Sequence, residues 1–281
     1  MNGMRLHPRL SQRLVKALLT AMTLATVLVL LFIIGFILVR GLPALSLSFL
    51  TENPREMGKA GGILSTIIGT VALTLMALLV ATPLGVGTAV FLTEYTWESR
   101  LTRVIRFGAD CLAGIPSIIF GLFGFILFVI KLRFGWSILS GGLTLAFMIL
   151  PTIIRTSEEA LRSVPRSYRE VSYSLGSTRW QMVTRVVLPS ALPGIVTGII
   201  LSIGRSIGET AAVIFTAGSA LQIPTSIFSS TRTMSVHFYI LAREGISLPK
   251  AYATAAVLIL AILLINLATY RLMHRFIRRY S

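Results

Sequence analysis

The sequence predicts an all-α integral membrane protein with six transmembrane helices and both termini on the cytoplasmic side. Three observations carry that expectation. Only 13% of the 281 residues are charged while 54% are apolar, against about 25% charged in a soluble domain. Six apolar segments are each long enough to cross a hydrocarbon core of roughly 30 Å, which takes about 17–25 helical residues. The basic residues also divide unevenly. Seventeen of the 26 Lys and Arg fall in segments that a cytoplasmic N-terminus places inside, eight fall outside, and Arg205 lies within a span, in keeping with the positive-inside rule.

The spans are expected near Ala17–Val39, Ile63–Leu92, Phe107–Ile130, Ser137–Ile154, Gly194–Ala217 and Tyr252–Tyr270. The first follows basic residues as a signal peptide would, but its 23 apolar residues exceed the usual 7–15 and no small-x-small cleavage site follows. It reads as a retained span. The second is the longest and holds Pro83, which predicts a kink or an extension into the interface. Trp97 and Trp136 fall at span ends, where indoles anchor at the interface. A β-barrel is excluded, because the runs are apolar on both alternating faces.

The net charge of +16 is accounted for by topology, so nucleic-acid binding is not expected. One cysteine, Cys111, excludes a disulfide framework and a multi-thiolate metal site. His7, His237 and His274 are too far apart in sequence for ligand spacing.

Three ionisable residues lie at or within spans: Asp110, Arg205 and Glu209. Asp110 is about a turn into its segment, near Arg103 and Arg106, and reads as an interfacial carboxylate. Arg205 falls near the middle of the fifth span, where a charge costs about 2.5–3.5 kcal/mol on insertion scales. Glu209 follows four residues later, on the same helical face, and can pair with it. Gly194, Gly198, Ser202, Arg205 and Glu209 form one stripe, and small residues let a second helix approach. An arginine on such a face suits an oxyanion, because its planar fork matches phosphate oxygens. A self-neutralising structural pair fits the residues equally well.

The stretch from Arg155 to Leu188 is too patterned for a simple connection. Thr156 with Glu159 has capping-box spacing and suggests a helix start, with Pro165 suited to a first turn. Tyr168, Val171, Ser172 and Leu175 recur at helical spacing, and Gly176 can stop that helix. Thr178 and Gln181 form a second capping box, opening a helix with Trp180, Val183 and Val187. Pro189 and Pro193 suggest a bend into the fifth span. This cytoplasmic hairpin could rest on anionic headgroups or dock into a partner through Tyr168, Leu175 and Trp180. Beyond the fifth span, Thr231–Glu244 could form a short interfacial helix, which reads as a packed outer cap, with a contact for an external partner as the alternative.

The hairpin carries a resemblance. Glu170-Val171-Ser172, three residues, Gly176, nine residues and Val186-Val187-Leu188-Pro189 resemble the EAA motif of ABC importer permeases. Val171 and Ser172 replace the two alanines. Phe49-Leu50-Thr51, Gly61-Gly62-Ile63, Ile68-Gly69-Thr70, Gly114-Ile115-Pro116-Ser117-Ile118, Gly121-Leu122-Phe123 and Arg205-Ser206-Ile207-Gly208-Glu209-Thr210-Ala211-Ala212 are similar to segments of the PstA family of phosphate-importer permeases, with PstC the nearest confusable relative.

The resemblance implies a type I ABC importer permease in a bacterial or archaeal plasma membrane. Its domains would be a cytoplasmic segment at 1–16, a first helix at 17–39, a permease core at 63–273 with the coupling hairpin at 156–189, and a tail at 274–281. It also implies a phosphate path lined by Arg205 and Glu209. ATPase coupling would run through Tyr168, Glu170, Leu175, Gly176, Trp180, Leu188 and Pro189. Implied partners are a PstC-like permease subunit, two PstB-like ATPase subunits, a PstS-like phosphate-binding protein and membrane lipid. No G-x4-G-K-[S/T] loop occurs in the chain, so ATP and Mg are expected on the ATPase subunits, with no cofactor or catalysis in this chain. A permease for sulfate or molybdate and an anion channel are the alternatives.

Overall fold

A computed structural model describes residues 8–280 apart from Glu98, with side chains from Gln12 to Arg271. Residues 1–7 of the expected N-terminal segment lie outside the described residues. Among the described residues five helices are long and apolar enough to cross a membrane: Gln12–Ala44, Leu64–Tyr95, Ile138–Ser163, Arg179–Gly208 and Leu248–Arg271. A bent helix pair, Arg100–Gly114 with Ser117–Lys131, brings the number to six if it counts as one span.

The first helix, α1 (Pro8–Gly41), leans on the last, α12 (Leu248–Tyr280), with Phe36 edge-on to Tyr252. Its apolar side chains otherwise face outward, as a bilayer permits. A short helix, α2 (Leu47–Thr51), capped by Ser46, leads to a two-residue antiparallel pair, β1 (Pro54–Arg55) and β2 (Ala60–Gly61). Then α3 (Leu64–Val90) runs through Pro83 without interruption and widens into a π-helical turn, Phe91–Tyr95. The longest segment thus continues as one helix from Leu64 to Tyr95.

The expected third span is not one helix. α4 (Arg100–Gly114) and α5 (Ser117–Gly124) meet at a bend of 103°. The cause is Pro116, which has no amide hydrogen to continue the ladder and pushes the preceding residue out of helical geometry. Ile115 accordingly has ψ 131°. A π-helical stretch, Phe125–Lys131, continues α5.

α6 (Ile138–Ser163) is the central helix, packed on α3 along its length and on α9 (Leu188–Gly208). The expected helix start at Thr156 is absent. Thr156 sits inside α6 and donates to the Thr152 carbonyl at 2.8 Å, so its hydroxyl serves the preceding turn and is not a cap. The small-residue stripe on α9 does meet a helix. A Cβ built on Gly198 would overlap the Thr156 side chain, one on Gly194 would stand 2.6 Å from the Ala160 Cβ, and Ser202 is fully buried. Gly198→Leu is therefore expected to force α9 from α6. The amount of chain recovered as a monodisperse species in detergent should fall several-fold, and unchanged recovery would contradict this packing.

The bend expected at Pro189 and Pro193 is also absent, since helical backbone runs from Arg179 to Gly208. Pro189 lies in the first turn of α9. The π-helical turn before it, Val183–Val187, gives its ring room against the Arg185 carbonyl.

The main core is built from α3, α6, α10 (Ala211–Thr216) and α11 (Met234–Arg243) around Leu73, Leu145, Met148, Ile149, Val213 and Val236. As expected of the outer segment, α11 is a packed helix, capped by Thr233 through the Val236 amide. His237 on it is buried, with Nδ1 3.5 Å from Arg232. Burial first, then the positive charges of Arg232 and Lys250, push its pKa down to about 4. The charged imidazole is thus disfavoured in the folded state. The stability associated with neutral His237 is complete above about pH 6.5 and is lost as the pH falls through about 4. Thermal melts in detergent from pH 7.5 to 4 should show a falling midpoint that His237→Gln flattens; a parallel fall in the variant would assign the loss elsewhere.

Candidate functional site

The hairpin forms at the arginine-rich end of the bundle. α7 (Arg166–Ser174) follows Pro165, which serves as its N-cap and not as a first-turn residue. α7 ends in a complete Schellman arrangement. The Gly176 amide donates to the Tyr173 carbonyl at 2.9 Å and the Ser177 amide to the Ser172 carbonyl at 3.3 Å. Gly176 takes φ +78°, a left-handed conformation that costs other residues roughly 1–2 kcal/mol. The Ser172 and Ser177 hydroxyls, 2.6 Å apart, close the turn. α8 (Arg179–Met182) opens with the expected capping box: the Gln181 amide donates to Thr178 Oγ1 at 3.3 Å and the Thr178 amide to Gln181 Oε1 at 3.0 Å.

The base of the hairpin is part of the core. Met182, Val183 and Val187 are buried against Leu161 and Val164 of the α6 end and Ala89 of α3. Its tip is the opposite. Leu175 is 82% and Trp180 66% exposed, and Tyr168, Val171 and Tyr173 are exposed beside them. A cleft of about 660 Å³ opens between the two helices, lined by Tyr168, Val171, Leu175, Gly176, Gln181 and Val186 among others. Glu170 is exposed and forms no ion pair among the described residues. Leu188 is half-buried and Pro189 exposed at the start of α9. The fold thus brings Tyr168, Glu170, Leu175, Gly176 and Trp180 onto one protrusion, with Leu188 and Pro189 at its root. Large exposed apolar side chains on a rigid, polar-capped turn suit docking against another protein.

The charged stripe of the fifth span differs from expectation. The helix stops after Gly208, and Glu209 is extended, with ψ 129°. Its carbonyl accepts from the Ser235 hydroxyl at 2.6 Å, while its side chain accepts from the Ala212 amide at 3.3 Å. Glu209 therefore caps α10 and forms no ion pair with Arg205, because the break carries it off the shared face. Arg205 sits in the last turn of α9, about 25 Å along the helix from Leu188. Its side chain is exposed and, among the described residues, unpaired. Gly204 and Gly208 flank it with open space where a side chain would project. This is a guanidinium presented on a smooth, accessible helix face.

Of the ionic contacts at the arginine-rich end, only the i,i+4 pair of Glu158 and Arg162 has a spacing that the sequence displays. Asp110 pairs with Arg155 of α6, its Oδ1 2.8 Å from Nε, and not with Arg103 or Arg106. Glu158 accepts from both Arg106 and Arg162 at 2.8 Å. Glu94 pairs with Arg169 at 2.6 Å. The partners stand 45 to 75 residues apart for Asp110 and Glu94, a separation that no periodicity reveals. No group of three or more metal-ligating side chains occurs among the described residues.

The described residues thus form a bundle of membrane-length helices with a hairpin at one end whose apolar tip is exposed. The chain belongs to the family of binding-protein-dependent transport system inner membrane components, whose model matches residues 81–281. It is 36% identical over 250 residues to the probable ABC transporter permease protein YqgI of Bacillus subtilis, covering 83% of this chain and 85% of the relative. It is 34% identical over 242 residues to the phosphate transport system permease protein PstA of Xylella fastidiosa, covering 85% and 84%. In fold it is similar to a chain of the inward-facing MetNI methionine ABC transporter, with TM-score 0.64, 20% identity and coverage of 76% and 95%. A chain of a bacterial transporter that imports the acidic polysaccharide alginate matches with TM-score 0.64, 20% identity and coverage of 95% and 99%. The fold is that of type I ABC importer permeases.

Proposed function

We propose that this chain is the PstA-type permease subunit of an ATP-driven importer of inorganic phosphate. The observation that carries the cargo is Arg205. An unpaired guanidinium on an open face near the end of a span suits a tetrahedral oxyanion, whose oxygens match its fork. The phosphate transport permeases among its relatives support the same reading. Glu209 contributes by fixing the helix break beside Arg205, which is a change from the counter-charge expected of it.

The rest of the machine follows from the hairpin. Its exposed tip faces the cytoplasm and enters a groove of an ATPase subunit that binds ATP and Mg. A second ATPase subunit engages a homologous PstC-like permease, and the two permeases enclose the path. A PstS-like binding protein delivers phosphate from outside, and the assembly resides in the plasma membrane. Closure of the ATPase pair pushes on the hairpin, and the continuous helix from Arg179 to Gly208 carries that displacement to Arg205. The chain itself makes and breaks no covalent bond.

The reading is tested by uptake of radiolabelled phosphate, sulfate and molybdate in cells lacking this chain, grown at low phosphate. A phosphate-only defect that the wild-type chain restores is expected. Normal phosphate uptake with another anion failing would show a different cargo.

A further inference from the structure

Arg169 directly precedes Glu170, yet its side chain runs the other way, into the protein. Nε donates to Glu94 Oε2 at 3.1 Å and one terminal nitrogen to Oε1 at 2.6 Å. The terminal nitrogens also donate to the carbonyls of Leu161 at 2.9 Å and Val164 at 2.8 Å. The guanidinium is 19% and the carboxylate 6% exposed. One side chain of α7 thereby holds the π-helical turn that closes α3 and the C-terminal end of α6.

The two arms of the hairpin are attached differently. The second runs as helix directly into α9. The first joins α6 only through Val164 and Pro165, both with extended ψ values of 126° and 141°. The Val164 amide reaches the Leu161 carbonyl at 3.4 Å, and among the described residues no backbone hydrogen bond joins α7 to α6, so the backbone alone does not fix the direction of α7. The fork from Arg169 spans that junction, and a bidentate pair fixes direction as well as distance. Removing either partner leaves the other charge buried and unpaired.

We propose that the Glu94–Arg169 pair is a positioning strut: it makes α7 move as one body with α3 and α6, so that displacement of the hairpin becomes displacement of the spans. The proposal rests on reading the hairpin as the ATPase contact. Because the pair points away from the exposed tip, its loss uncouples the machine without detaching the ATPase.

The test uses the complete importer in proteoliposomes, comparing wild type with Arg169→Gln, Glu94→Gln and the double variant. Phosphate accumulated per ATP hydrolysed and the amount of copurified ATPase are measured together. Arg169→Gln is expected to lower the transport-to-ATP ratio at least ten-fold with ATPase copurification unchanged. Glu94→Gln, which preserves shape, should lower it less, and the double variant no further than Arg169→Gln alone. A wild-type ratio in both single variants would overturn the strut. Loss of the ATPase in both would also overturn it, by making the pair a docking element. If the wild-type complex moves another solute instead, the cargo reading fails and the ratio is taken with that solute, so the strut is judged separately. A wild-type chain that holds no ATPase would sink the strut together with the hairpin reading.

Discussion

Replacing Leu175 and Trp180 together by aspartate should reduce solute uptake by more than 100-fold while leaving the chain in the membrane. Both side chains project from the hairpin tip, 82% and 66% exposed, so charges there are solvated and the fold is kept. In the proposed assembly the same positions are buried against the ATPase. Truncating a central aromatic anchor of an interface commonly costs 2 kcal/mol or more, about 30-fold in affinity, and a buried unpaired carboxylate costs more. The measurement is the ATPase retained by an affinity-tagged chain, alongside uptake. ATPase retained at wild-type stoichiometry would show that the tip is not the contact.

Arg205→Gln carries the second large effect. Uptake is expected to fall at least ten-fold with ATPase copurification intact, because glutamine keeps hydrogen-bonding capacity but loses the charge. Arg205→Lys should recover part of the activity, since an ammonium offers charge without a planar fork. Glu209→Gln should do little to selectivity, since its side chain caps α10 instead of neutralising Arg205. A glutamine variant with wild-type uptake would remove Arg205 from the path.

The sequence made some features legible and hid others, for identifiable reasons. Five of the spans were readable because each is a continuous apolar run of membrane length, and the Gly176 turn and the Thr178–Gln181 box because each depends on residues within about four positions, where helical geometry dictates the contact. The stripe from Gly194 to Ser202 was readable for the same reason. Its extension to Glu209 failed because helical projection assumes an unbroken helix, and the break is stabilised by Ser235, 26 residues away. The Ile115–Pro116 bend was signalled by proline, but the apolar run around it hid the signal. Thr156 and Glu159 have capping spacing without a helix end, since the same hydroxyl can serve the carbonyl four residues back. Arg169 stood beside the recognised motif, yet its partner Glu94 lies 75 residues upstream, and only the folded packing of α3, α6 and α7 brings the two together.

The most direct test of the whole account is accumulation of radiolabelled phosphate by proteoliposomes holding this chain with its permease, ATPase and binding-protein partners. ATP is supplied on the hairpin side, and a non-hydrolysable analogue serves as the comparison. The account predicts phosphate accumulation against its gradient with ATP only, and none of sulfate or molybdate under the same conditions. Phosphate flux that proceeds equally with the analogue, running only down its gradient, would contradict it and make the protein a channel.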